Sequence, residues 1–271
     1  MHAVPAAKPA ELRCQAAIAL ATEELSTKLA LVAELSTEAP VDPTAQLDAC
    51  MGRPAKPALV HPRRVPARHV GDSVGRGMLI HALAHIEFNA INLALDAAVR
   101  FADMPEQFYR DWVSVAKDEA LHHGLLSQHM ATLGVAYGDY PAHDGLWQMA
   151  EKTRHSLIAR MALVPRLLEA RGLDVSPGIR DKLLAVGDHA GAQVLQRILD
   201  DEIGHVAIGN RWFGWLCQQQ GCDPLSMFEQ ALREYQAPFP RSPFNYPARA
   251  EAGFTEDEMA WLRQIEVEQT S

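Results

Sequence analysis

Two short stretches of this chain carry the same arrangement of acid and imidazole, Asp118-Glu119-Ala120-Leu121-His122 and Asp201-Glu202-Ile203-Gly204-His205. Each reads Asp-Glu-x-x-His. Residues three apart share one face of a helix, so each copy aims a carboxylate and an imidazole at a common point. A further glutamate precedes each copy by one helix: Glu87 lies 82 positions before Glu169, and the Glu119/Glu202 and His122/His205 pairs are each separated by 83. Four carboxylates and two imidazoles related by a pseudo-twofold are what a pair of divalent metal ions needs in the core of a helix bundle. The carboxylates would neutralise and bridge two dications, and each imidazole would take one metal while leaving positions open for oxygen or water. Solvated helix faces are the bland alternative. The apolar neighbours Leu121, Leu125, Ile198 and Ile203 argue against it, because they turn these faces toward the core, where six ionisable groups without metal would be very costly.

Asp118 and Asp201 stand one turn before a ligand histidine. A ligating imidazole usually donates its second N–H to a carboxylate, so both are expected to orient a histidine, if need be across to the facing helix. His81 is the third candidate for such a supporting role. Of the 12 histidines most must be structural. His85 and His123 point away from the ligand faces, and Glu151 with His155 sits 18 residues before Glu169, on the order of 27 Å along a helix and too far to share its site.

These groups must be held by helices. Apolar spacing predicts one broken helix or two short ones from Pro9 to about Leu35, and a further short helix is expected to start at Asp42-Pro43, an N-cap followed by a first-turn proline. Gly52 to Gly77 is a Pro-rich connector carrying Arg53, Lys56, Arg63, Arg64, Arg68 and Arg76, read as a solvated strap in preference to an anion-binding loop. A first long helix is expected from about Arg76 to Phe101, burying Leu79, Leu83, Ile86, Ala90, Leu93 and Ala97. After a turn at 102–105 a second runs to Leu133 and stops at Gly134. Position 103 lies midway between Glu87 and Glu119, so an antiparallel hairpin brings those carboxylates to one height. The third helix is expected from Asp144 to Arg171, kinked or bulged by Pro165 one turn before Glu169, and closed by Gly172. A loop from Gly172 to Pro177 and a short helix to Val186 would form an insertion beside the site. The fourth helix reads from Asp188 to Gln220 with Gly221 as its stop, and Asp223-Pro224 opens another to about Tyr235. Ala237 to Gly253 reads as irregular, and Thr255-x-x-Glu258 is a capping box opening a terminal helix.

Three divisions follow: N-terminal helices and connector in 1–75, a bundle in 76–221, and wrapping segments in 222–271. The fold class is all-α. With 48% hydrophobic residues the chain can bury a full core, which excludes a disordered protein. A net charge of -9 speaks against a general nucleic-acid binder, since phosphate neutralisation needs an excess of Lys and Arg. Cys14, Cys50, Cys217 and Cys222 form no metal knuckle or disulfide framework and read as reduced thiols in a cytoplasmic protein. Met1 to Pro9 lacks a basic flank followed by an apolar run, and no apolar stretch is read as long enough to cross a bilayer.

The order Glu, Glu-x-x-His, Glu, Glu-x-x-His on four helices resembles the ferritin-like di-iron carboxylate proteins over about residues 76 to 221. Arg76-Gly77 through His81, Val164-Pro165 through Asp174, and Asp201 through Val206 resemble an uncharacterised bacterial family within that superfamily, and the chain is distantly similar to the tRNA-modifying di-iron hydroxylases. The resemblance implies a ferritin-like four-helix bundle with extra terminal helices. It implies two iron ions, with manganese or zinc as substitutes, bridged by Glu119 and Glu202. Glu87 and His122 would be terminal on one metal, Glu169 and His205 on the other. It also implies an oxygenase or oxidase acting on O2 and a small organic substrate, with a tRNA ranked behind. The absence of a Cys-x-x-Cys pair implies an external electron donor. The protein is expected to be a monomer or dimer with no membrane partner. Iron handling, as ferroxidase or storage protein, and a metal-binding bundle without turnover are the rival functions.

Overall fold

A computed structural model describes residues 11–66 and 68–270 of the chain. The start of the first expected helix at Pro9, and the segment Met1 to Pro9, lie outside them. Among the described residues the fold is an all-α helical bundle of eleven α-helices with no β-strand, only an isolated parallel bridge between Leu59 and Ala142. In order these are α1 (Leu12–Ala21), α2 (Leu25–Glu34), α3 (Ser73–Arg100), α4 (Glu106–Thr132), α5 (Gly145–Lys152), α6 (Leu157–Leu163), α7 (Ala170–Ala185), α8 (His189–Gln220), α9 (Pro224–Glu234), α10 (Tyr246–Glu251) and α11 (Glu256–Thr270). A π-helical segment, Val164–Glu169, joins α6 to α7 without a break.

The chain divides into two compact units, Met1–Lys56 with Glu87–Leu121, and Pro57–Ile86 with His122–Ser271. Helices α3 and α4 each run unbroken through both.

In the first unit the broken N-terminal helix is two helices, α1 and α2, each capped by a glutamate, Glu11 and Glu24, that accepts from the first free amides. No helix follows Asp42-Pro43. The Asp42 carboxylate accepts from the amide and hydroxyl of Thr44 at 3.0 and 2.7 Å, a local turn that competes with a helix. The carbonyls of Asp42, Pro43 and Ala45 accept from the buried Arg13 guanidinium at 2.8, 3.1 and 2.9 Å. Arg13 also donates to the carbonyls of Ala98 and Val99 at 3.0 and 2.9 Å, capping the last turn of α3, whose carbonyls have no helical partner. Buried Lys28 makes a similar set of bonds, to Leu20 O, Gly52 O and Asn92 Oδ1. Gly52 must be glycine, since a Cβ there would sit 2.1 Å from the carbonyl oxygen of Ala21.

In the second unit the basic connector is pinned by Val60 N to Ala142 O at 2.8 Å and Ala142 N to Ala58 O at 3.0 Å, and Arg63, Arg64 and Arg68 are exposed. Ile80 and Ala84 of α3, Leu126 and Met130 of α4, Leu183 of α7 and Ala192, Leu195 and Ile198 of α8 form one core, so four helices meet in it. A second core joins α7 and α8 to the C-terminal region through Ala170, Leu173, Val206, Phe244, Phe254 and Leu262.

The buried part of α3 is wider than the expected stripe: Ala90, Leu93 and Ala97 are buried as read, Leu79 and Leu83 are half-buried, and Ile86 alone of the six faces out. Ile86 is 42% exposed, while Ile80, Ala84, Phe88, Ile91 and Leu95 are buried. Leu121, expected to mark a core face, is 45% exposed. α3 also has the length and composition of a membrane-crossing helix, contrary to the reading that no stretch does; 72% of its most apolar window is buried inside the protein, as in a core helix.

The third expected helix differs most. It breaks after Lys152, where Thr153 turns the chain, and the Ser156 hydroxyl caps α6. It then runs continuously from Leu157 to Ala185, through Gly172 and Pro177. The insertion expected there is absent. Pro165 bulges the helix as anticipated, giving the π segment, and Gly209 of α8 makes room for it: a Cβ there would lie 2.4 Å from the Cβ of Pro165. At Pro177 the missing N–H would have bonded the carbonyl of Leu173. Asn245 Nδ2 donates to that carbonyl instead, at 3.1 Å. One residue on, the buried Asp174 carboxylate accepts from both Arg249 Nε at 2.9 Å and Nη2 at 2.7 Å. The segment expected to be irregular contains the short helix α10, capped by Asn245. The remaining boundaries agree with the sequence: Asp188 and Asp223 cap α8 and α9, Gly134 and Gly221 take positive φ after α4 and α8, and Thr255 and Glu258 exchange hydrogen bonds at the head of α11.

Candidate metal centre

Glu119 and His122 follow each other by one turn on α4, Glu202 and His205 by one turn on α8, Glu87 lies mid-way along α3, and Glu169 closes the π segment. Glu87, Glu119, His122 and His205 are buried; Glu169 and Glu202 are half-buried. One ligand atom from each of Glu87, Glu119, His122 and Glu202 lies within 4.8 Å of the others. This group could hold a metal ion. Glu169 and His205 are outside that set. His205 stays close to it, with Nδ1 3.7 Å from Glu202 Oε1 and its ring centroid 5.7 Å from that of His122.

The chemistry of the donors fits a cation. Buried carboxylates need positive charge, protons or strong donors to match them. Three carboxylates and one imidazole form a set of hard oxygen and borderline nitrogen ligands suited to iron, manganese or zinc.

His122 is held from α8. Its Nε2 lies 3.0 Å from Asp201 Oδ2, and the same oxygen accepts from Arg197 Nε at 2.6 Å. Burial pushes the Asp201 pKa up, but the hydrogen bonds from His122 and Arg197 outweigh it and hold the carboxylate below its ordinary value. An ionised Asp201 fixes the His122 proton on Nε2 and leaves the Nδ1 lone pair for a metal. Asp118 is half-buried beside Glu119 on α4.

His81 takes a different part. Its Nε2 accepts the Gly138 amide at 2.9 Å and its ring stacks on Tyr137 at 5.5 Å and meets the edge of Tyr140 at 5.6 Å. It therefore holds the 134–141 loop. Sequence reasoning missed Tyr137 altogether. Its ring is also packed by His123 at 4.9 Å, and its hydroxyl lies 2.8 Å from His85 Nδ1. Burial, with a smaller contribution from His81, brings the His123 pKa down to about 4. The available signal was the i, i+4 pair His81/His85 ahead of a tyrosine-bearing loop, two histidines that the sequence reading treated separately.

The fold and this group define an all-α bundle protein with a clustered Glu/His ligand set. A family model described as "Protein of unknown function (DUF455)" matches residues 7–260, and the chain belongs to that family. It is 46% identical over 220 residues to a Haemophilus influenzae protein named "Uncharacterized protein", covering 79% of this chain and 76% of the other. No solved structure matches the chain.

Proposed function

We propose that this protein is a ferritin-like di-iron oxidoreductase of the cytoplasm that uses O2 to hydroxylate or oxidise a small organic substrate. The observation that carries the reading is the convergence of Glu87, Glu119, His122 and Glu202 from three helices within 4.8 Å. In this reading α3, α4, the rod from Leu157 to Ala185, and α8 are the four bundle helices. Glu169 and His205 complete the ligands of a second ion. Charge supports two ions: four carboxylates balance two dications, whereas one dication leaves the group strongly negative. Iron bound there would supply the electrons for O2 reduction, replenished by an external donor, with one oxygen atom passing to the substrate in a hydroxylation and the other to water.

The chain's own residues set the conditions. The Arg197–Asp201–His122 relay orients an imidazole, and Ile198 and Val206 of α8 are buried in the two cores that flank Glu202 along the helix. Pro165 and Gly209 let the π segment present Glu169. Such one-turn π bulges occur frequently at functional sites. The test is to load metal-free protein with Fe(II) anaerobically and admit O2. Oxygen uptake close to one O2 per pair of irons, with a new visible absorption band, is the expected result. Fully loaded protein that consumes no O2, or a large cage that fills with mineral, refutes it.

A further inference from the structure

A cavity of about 270 Å³ opens in the second unit beside the π segment, walled by that segment, α9, the 238–244 loop and α11. We propose that it is a binding site for a small organic anion with an aromatic or short acyl body. Its volume sits just under the usual range for small-molecule sites, about 300–1000 Å³, which admits a single ring or short chain and excludes a polypeptide segment of any length.

The walls specify an apolar body. Phe228 meets Trp261 edge-on at 5.8 Å and Phe239 lies tilted against the same indole at 6.0 Å, so three aromatic rings line the cavity together, with Phe239 exposed.

The charge of the lining specifies the head group. Four guanidiniums, Arg166, Arg171, Arg241 and Arg249, face two carboxylates, Asp174 and Glu258. Two of the four are neutralised where they stand. Buried Arg166 pairs with Glu258, and Arg249 holds both oxygens of Asp174 at 2.9 and 2.7 Å. Arg171 spends its donors on the carbonyls of Arg241, Ser242 and Pro243 and stands 3.6 Å from the Asp174 that Arg249 already holds. Arg241 is exposed at the rim. The lining thus carries an excess of two positive charges over an aromatic floor, and a carboxylate or phosphate on an apolar body is its complement. A cation of the same shape is rejected. Because Arg166, Leu167 and Leu168 line the cavity and Glu169 ends the same segment, an occupant rests directly on the turn that carries Glu169. None of the six metal-ligand candidates lines the cavity.

The test is calorimetric titration of the full chain with benzoate, phenylacetate and hexanoate, with phenethylamine as the cationic counterpart. One-site saturable binding of at least one of the three acids is expected, at least about tenfold tighter than the amine, a difference of about 1.4 kcal/mol. Arg241→Ala combined with Phe239→Ala, both at exposed positions, should weaken it about tenfold with an unchanged circular-dichroism spectrum. Leu225→Trp, which fills the cavity, should abolish it. No saturable binding by any of the three acids, amine binding of equal strength, or undiminished binding in both variants overturns the proposal.

Discussion

His122 on α4 and Asp201 on α8 are joined side chain to side chain at 3.0 Å, although 79 residues separate them in sequence. Each belongs to one of the two Asp-Glu-x-x-His stretches, so the aspartate of the second copy serves the histidine of the first. The pair also has a third member, Arg197, whose hydrogen bond adds to that of His122 in holding the Asp201 carboxylate below its ordinary value. Removing Asp201 should therefore act on metal through His122 while sparing the fold. Asp201→Ala is expected to lower metal affinity by about 10- to 100-fold, the usual effect of losing a carboxylate behind a ligating histidine, with a helical circular-dichroism spectrum close to wild type. Competition with a metal chelator measures it.

Stability should fall as the protein is acidified through a window set by His123. Its folded pKa is about 4 against an ordinary 6.5, so between those values the unfolded chain binds the proton and the folded protein does not. The stabilisation is complete above pH 6.5 and is lost as pH falls toward 4, by about 3 kcal/mol in all. Urea titrations at pH 7 and pH 4.5 should show this loss in wild type and a smaller one in His123→Phe.

The way the helix passes Pro177 predicts a coupling. Asn245 replaces the hydrogen bond that Pro177 cannot make to Leu173 O, and it also caps α10. Asn245→Ala should cost about 1–2 kcal/mol. In a Pro177→Ala background the helix supplies its own N–H to that carbonyl, so the same substitution should cost about 0.5–1 kcal/mol less. A double-mutant cycle by chemical denaturation resolves the difference.

Arg13 satisfies five carbonyl oxygens from a fully buried position. Arg13→Met should destabilise the fold by about 3–5 kcal/mol, since two buried and three partly buried carbonyls lose their common donor. Arg13→Lys should recover only part of this, because a point ammonium cannot reach all five acceptors at once. Thermal unfolding of the two variants gives the order.

Much of this structure could be read from local signals because they were local in origin. Asp188, Gly221 and Asp223 set the limits of α8 and the start of α9 with side chains or φ angles that act within one turn. The clustering of Glu87, Glu119, His122 and Glu202 was legible for the same reason, since Glu-x-x-His needs only a helix to bring its two donors together, whereas Glu169 and His205, tied to them by the 82- and 83-residue spacing, lie outside that group. Where the reading failed, a distant group decided. Gly172 and Pro177 look like a helix end, but Arg249 and Asn245, about seventy residues away, carry the helix through. Asp42-Pro43 looks like a helix start, but Arg13 takes the carbonyls of that turn. The α3 phase was ambiguous because every residue from Glu87 to Val99 is buried, so apolar spacing no longer marks one face.

The central claim is that Glu87, Glu119, His122 and Glu202, with Glu169 and His205, hold metal. Elemental analysis of protein loaded anaerobically with Fe(II) and desalted tests it most directly, alongside Glu119→Ala and Glu202→Ala. The account predicts about two iron ions per folded wild-type chain, and a loss of bound iron in each variant with helical content retained. Wild-type protein that emerges free of iron, or variants that both keep the wild-type amount, would contradict it.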